Sequence, residues 1–239
     1  MRSFAAPVVV IAMGLSAVIA ASPQNAPAPA AGRTDVYHVH FTKAAPGQAA
    51  ALGKALIVPD TTAPMPDHFV VLRHQEGDDW DYAVIQHLGQ KVAVDAAPTP
   101  PNPARDLRAW HNDTFASGPS WADFTRAMGL DASTGGERMV YAVATHRAVP
   151  GHRDQLEKSL NQPAPGSGKI QTGSVFMQHL EGGDWTFLTI TRYNSWQDFA
   201  TDRADAAAGT GANPGGWADI RQHSDFHRDT IADRIFPVK

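Results

Sequence analysis

The chain has 239 residues, 43% of them apolar and 18% charged, with no cysteine and a formal net charge of −4. Apolar side chains are plentiful enough to build a core, which excludes wholesale disorder. The missing cysteines exclude disulfide stapling and a lipidated N-terminal cysteine, and the lack of a basic stripe leaves nothing to neutralise the phosphates of a nucleic acid.

Met1-Arg2-Ser3 leads into an uncharged apolar run from Phe4 to Ala21 that ends in small residues. Such a run is expected to be a secretory signal, cleaved after Ala20 or Ala21. An uncleaved membrane anchor is the alternative, because the run is near the lower length for a span. Export to the periplasm or the extracellular space follows. Residues 22–33 are Pro- and Ala-rich and too poor in large side chains for a core, as expected of a linker. The rest divides into a first repeat over 34–134 and a second over 135–239.

The repeat is legible because Glu76-Gly77-Asp78-Asp79-Trp80 returns as Glu181-Gly182-Gly183-Asp184-Trp185. Each copy lies between apolar runs, Phe69–Leu72 and Tyr82–Ile85 in the first, Val175–Met177 and Phe187–Ile190 in the second. Gly and Asp tolerate the backbone of a tight turn, and β-branched and aromatic residues favour strands, so each copy predicts a hairpin. Upstream, Asp35–Phe41 and Met139–Thr145 alternate as strands and run into Pro46-Gly47 and Pro150-Gly151. Helices carrying Leu52 and Leu56, then Leu156 and Leu160, follow; two leucines four apart share the face that docks on a sheet. The predicted order is strand, helix, strand, strand, twice.

After each hairpin a helical region is expected, with two shared pieces in opposite order. Trp110-His111-Asn112-Asp113-Thr114 precedes Ser120-Trp121-Ala122-Asp123-Phe124, whereas Ser195-Trp196-Gln197-Asp198-Phe199 precedes Phe226-His227-Arg228-Asp229-Thr230. Either the chain was rearranged or one match is chance. Ser-Trp-x-Asp-Phe reads as a helix start with a serine N-cap and an acid in the first turn. The last strand of each unit has only weak candidates, Lys91–Val94 and Ile235–Val238.

This pattern resembles the dimeric α/β-barrel superfamily, which includes antibiotic-biosynthesis-monooxygenase, EthD-like and NIPSNAP-like domains. The resemblance covers roughly Val36 to Ile235 and rests on element order, the Pro-Gly before the first helix and the acidic hairpin. It implies an α+β fold of two ferredoxin-like units in tandem, pairing within one chain as an α/β barrel. A pseudo-dimer of this kind is expected to be monomeric. In haem-handling relatives a helical histidine ligates iron, and His111 or His227 could do likewise here, although the resemblance does not align either with that ligand. The resemblance leaves haem or a transition metal possible, with no cofactor the more expected case.

Histidines supply the candidate site. His38 and His40 share one strand face, with Ala142 and Ala144 in the other copy, and two imidazoles so spaced can hold a metal ion or line a pocket. His74 and His179 end the apolar face of the second strand of each unit, next to Glu76 and Glu181, where a barrel rim is expected. His223 lies one helical turn before His227, which makes the two a further weak metal pair beside His38 and His40. Any of these imidazoles can exchange a proton near neutral pH. No cysteine nucleophile, phosphate-binding Gly-x-x-x-x-Gly-Lys stretch, Gly-x-Ser-x-Gly elbow or His-Glu-x-x-His helix is present, and the six tryptophans read as core and rim packing. Two functions remain: a module binding a small hydrophobic or aromatic ligand in the barrel, or an exported monooxygenase-like or haem-handling enzyme.

Overall fold

The computed structural model describes residues 32–90, 107–130, 139–162, 170–208 and 214–237. The expected signal run, most of the linker and Lys91–Val94 lie outside them. Among the described residues no helix is long and apolar enough to cross a membrane.

The elements in chain order are β1 (Asp35–Ala44), α1 (Ala49–Leu56), β2 (Phe69–Glu76), β3 (Tyr82–Gln90), β4 (Arg108–Gly118), α2 (Trp121–Met128), β5 (Val140–Ala148), α3 (Arg153–Leu160), β6 (Gln171–Glu181), β7 (Phe187–Tyr193), α4 (Trp196–Ala208), α5 (Trp217–His223) and β8 (Ser224–Phe236). The strands close into an antiparallel barrel in the order β1-β3-β2-β8-β5-β7-β6-β4. Followed round the ring, β4-β1-β3-β2 comes from the first half of the chain and β8-β5-β7-β6 from the second, with the same internal order. The halves meet along two seams, β2 with β8 and β4 with β6.

Alternation sorts the strand residues onto two faces. Tyr37, Val39 and Phe41 of β1 point inward with Val70, Leu72, Ile85, Tyr141, Val143, Val175, Met177, Leu188 and Ile190, and together they fill the barrel. The outer face is covered by helices. Leu52 and Leu56 of α1 pack on Phe69, Val71 and Tyr82, and Leu156 of α3 packs on Phe176 and Phe187. The leucine pairs therefore dock as their spacing predicts.

One end of the barrel is plugged by α2, whose Phe124 and Met128 join the interior. Ser120 caps this helix by accepting from the Asp123 N–H, and Gly129 ends it in the left-handed conformation. Tyr37 and Tyr141, at matching positions on β1 and β5, hold its two ends: Tyr37 Oη donates to Pro119 O at 2.8 Å and Tyr141 Oη to Met128 O at 2.9 Å. Burial pushes both phenols above their ordinary pKa, so they remain donors.

Two expectations need correction. The pieces containing His111 and His227 are the fourth strands, β4 and β8, and not helices. The last strand of the second half is the whole of Ser224–Phe236, of which only Ile235 and Phe236 were expected. The Ser-Trp-x-Asp-Phe pieces do start helices, with Ser195 Oγ accepting from the Asp198 N–H as Ser120 does. However, α2 plugs the barrel after its fourth strand, whereas α4 packs outside before its own. The shared piece is a common solution to capping a helix, used at two different places in the fold.

Candidate functional site

The repeated acidic turns form the barrel mouth at the end away from α2. Gly77 and Gly182 have φ of +126° and +109°, and each turn lies flush on the fourth strand of the opposite half. The following N–H groups reach threonines of that strand: Asp78 N donates to Thr230 Oγ1 at 3.1 Å and Gly183 N to Thr114 Oγ1 at 2.9 Å. So the two repeated sequences, the acidic turn and His-x-Asp-Thr, are the two parts of one seam contact, made twice. Thr230→Val keeps the shape and orphans the Asp78 N–H; a loss of about 1–2 kcal/mol is expected in urea unfolding, and no loss would mean that the bond does not form.

Behind each turn stands a tryptophan, Trp80 or Trp185, each 4% exposed. His74 and His179 meet these indoles edge-on, with centroids 5.7 Å apart in both halves. Their Nε2 atoms are buried without a hydrogen-bond partner, as is Trp185 Nε1. Burial lowers the His179 pKa, against the opposing charge of Glu181, so this imidazole is held neutral. Between the turns lies a cavity of about 300 Å³, lined by both tryptophans and by Phe41, Val143, Asn112 and Arg228 among others. That volume is at the lower end of small-molecule sites. Of the predicted histidines, His74 and His179 face the barrel interior near this mouth as expected, but neither lines the cavity itself.

His38 and His40 alternate with the inward residues and so lie on the outer face of β1. The carboxylate they need comes from β4: His38 Nε2 lies 3.0 Å and His40 Nδ1 4.0 Å from Asp113 Oδ1. In the other half His227 Nε2 lies 3.0 Å from Asp229 Oδ2, and its ring stacks on His146 at 5.6 Å. The hydrogen bond to Asp229 raises the His227 pKa despite burial. His111 sits on β4 opposite Thr42. His223 ends α5 and faces His152, Nδ1 to Nδ1 at 3.0 Å, so it does not share a helical face with His227. Among the described residues no three His, Asp or Glu side chains are placed to hold a metal ion: His38 and His40 share Asp113, and His223 and His227 are drawn to different partners.

A third cluster at the plugged end was not anticipated. His87 Nε2 lies 2.8 Å from Asp35 Oδ2 and its Nδ1 lies 3.1 Å from His68 Nδ1. Asp35 Oδ2 also accepts the N–H of Trp121, the first residue of α2, whose indole stacks on both imidazoles. With Asp35 ionised, His87 donates from Nε2 and accepts at Nδ1, which leaves His68 Nε2 as the basic end of the chain. Burial lowers the His87 pKa, outweighing the hydrogen bond to Asp35. No sequence signal gathers these three residues, because Asp35 reaches His87 through the pairing of β1 with β3 and His68 reaches it through the pairing of β2 with β3.

No protein-family model matches the chain, and no curated protein matches it in sequence. In three dimensions it is similar to an anthrone oxidase-like protein, with a TM-score of 0.56 and 13% identity over 85% of this chain and 92% of the other. A candidate monooxygenase from Lactobacillus acidophilus aligns with a TM-score of 0.48 and 7% identity over 84% of this chain and 94% of that one. The likeness to the anthrone oxidase-like protein is one of fold: a mixed α+β architecture built on a large antiparallel sheet.

Proposed function

We propose that this is an exported, monomeric barrel of two ferredoxin-like units in tandem that binds a small aromatic molecule at the mouth between Trp80 and Trp185. The observation that carries the reading is the contrast along the barrel axis. The interior is filled by aliphatic and aromatic side chains up to α2, and a cavity opens at the mouth, where two indoles stand on either side of it. Indoles offer large apolar faces with little conformational freedom to lose, the usual chemistry of a planar-ligand site.

The test is a titration with N-phenylnaphthylamine, followed by probe emission and by quenching of tryptophan. A saturable one-to-one signal is expected, with affinity reduced about tenfold in Trp80→Leu or Trp185→Leu. Unchanged affinity in both folded variants would remove the mouth as the site.

A second reading, oxygenation of the bound aromatic, is favoured by one feature: the partnerless imidazole nitrogens of His74 and His179 directly behind the indoles. The fold shared with an anthrone oxidase-like protein makes anthrone the first compound to try. Oxygen uptake that is lost in the His74→Ala/His179→Ala double variant would establish turnover, and binding without uptake would leave the protein a binder.

A further inference from the structure

We infer that the ligand of the mouth is an aromatic anion and that Arg228 receives its acidic group. The inference rests on the reading of the mouth as an aromatic-ligand site and adds the charge and direction of the ligand.

The two sides of the mouth are built alike but furnished differently. On one side the residues in register across β1 and β4 are Phe41 and Asn112, with the half-exposed Trp110 beyond them. On the other side the pair in register across β5 and β8 is Thr145 and Arg228, with Phe226 in the place of Trp110. One side is thus uncharged, and the other carries the only guanidinium of the cavity lining among the described residues.

The Arg228 guanidinium lies 5.2 Å over the Phe226 ring, which holds it by a cation–π contact and leaves its edge free. Its nearest carboxylate, Asp78 Oδ2, is 3.8 Å away, beyond hydrogen-bond distance. Among the described residues the Arg228 side chain donates no hydrogen bond, so its fork is open to a carboxylate or sulfonate. The other acid of the lining, Asp184, faces Arg147 at 3.9 Å, and Arg147 is itself bound to Asp225 at 2.9 Å. The negative charges of the rim therefore each have an arginine nearby, and Arg228 is the one with donors unspent. A ligand with its ring against Phe41 and the indoles and its acid toward Arg228 uses both sides.

Anilinonaphthalene sulfonate and N-phenylnaphthylamine share one aromatic framework and differ by the sulfonate, so the ratio of their dissociation constants isolates the contribution of the anion. The wild type is expected to bind the sulfonate at least about tenfold more tightly. In Arg228→Gln the ratio should fall to near one, and in Asp78→Asn, which removes the competing carboxylate, it should rise. Equal affinities in the wild type, or a preference that survives Arg228→Gln, would overturn the inference. Failure of the folded wild type to bind either probe would instead overturn the aromatic-site reading beneath it.

Discussion

Gly182→Ala is expected to lower the free energy of unfolding by about 3–5 kcal/mol, more than any surface change in this protein. Part of the cost is local, because φ of +109° is a backbone conformation that alanine adopts only under strain. The larger part is steric. A Cβ at residue 182 would stand 2.2 Å from Asp113 O and 2.8 Å from Thr114 Cα, both backbone atoms of β4 that cannot turn aside. Gly77 is in the same position against β8, 2.2 Å from Asp229 O and 2.7 Å from Thr230 Cα. Gly47→Ala supplies the control: its φ is +77° but no atom lies within 4 Å, so it carries strain alone, about 1 kcal/mol. Urea midpoints of the two variants separate strain from seam contact, and equal losses would show that the turns are not seated on the opposite half.

The second large effect is one of pH. His146 is 5% exposed, and burial, assisted by the neighbouring His227 imidazole, pushes its pKa down to about 4 against the opposing charge of Asp229. A histidine whose folded pKa is depressed binds its proton more readily when unfolded. Its contribution is whole above the unfolded value of 6.5 and is lost as pH falls toward 4, by about 3 kcal/mol in total. His87 and His179 are shifted in the same direction. His227 works oppositely, since its raised pKa adds stability at low pH that disappears as pH rises. Asp229, held below the usual carboxylate range by His227 although its burial opposes this, adds to the acid loss. In His146→Phe the difference in stability between pH 7 and pH 4.5 should shrink by most of that 3 kcal/mol. Any packing cost of the larger ring is independent of pH and cancels, so parallel pH profiles for the two proteins would refute the assignment.

Much of the barrel was legible because its strands obey a simple alternation and its turns recur. Phe69–Leu72 and Val175–Met177 are strands by any reading, and Leu52 with Leu56 could dock only one way. The fourth strands were hidden by their composition. Asn and Asp are poor strand formers, yet β4 runs through His111-Asn112-Asp113 and β8 through His227-Arg228-Asp229, because the outer face pairs His38 with Asp113 and His227 with Asp229 while Asn112 and Arg228 line the mouth. Read on a strand, His-x-Asp places both side chains on one face, a signal that a helical reading discards. The indoles of Trp80 and Trp185 were legible as duplicated packing residues. That they also bound a cavity depends on the closing of the ring, whereas the meeting of Asp35, His87 and His68 across 52 and 19 residues of chain depends on the pairing of β3 with β1 and with β2.

A ring closed by a single chain also has consequences for how its mouth can change. In a barrel assembled from two identical subunits, every substitution is installed twice across the symmetry axis, so a charge gained on one side is gained on both and faces its own copy. Here Phe41 can stand across from Thr145, and Asn112 across from Arg228, without that repulsion. The same linkage makes closure independent of protein concentration, because neither half has to find a partner by diffusion. Directionality of the site and persistence at high dilution are thus one property of the connectivity.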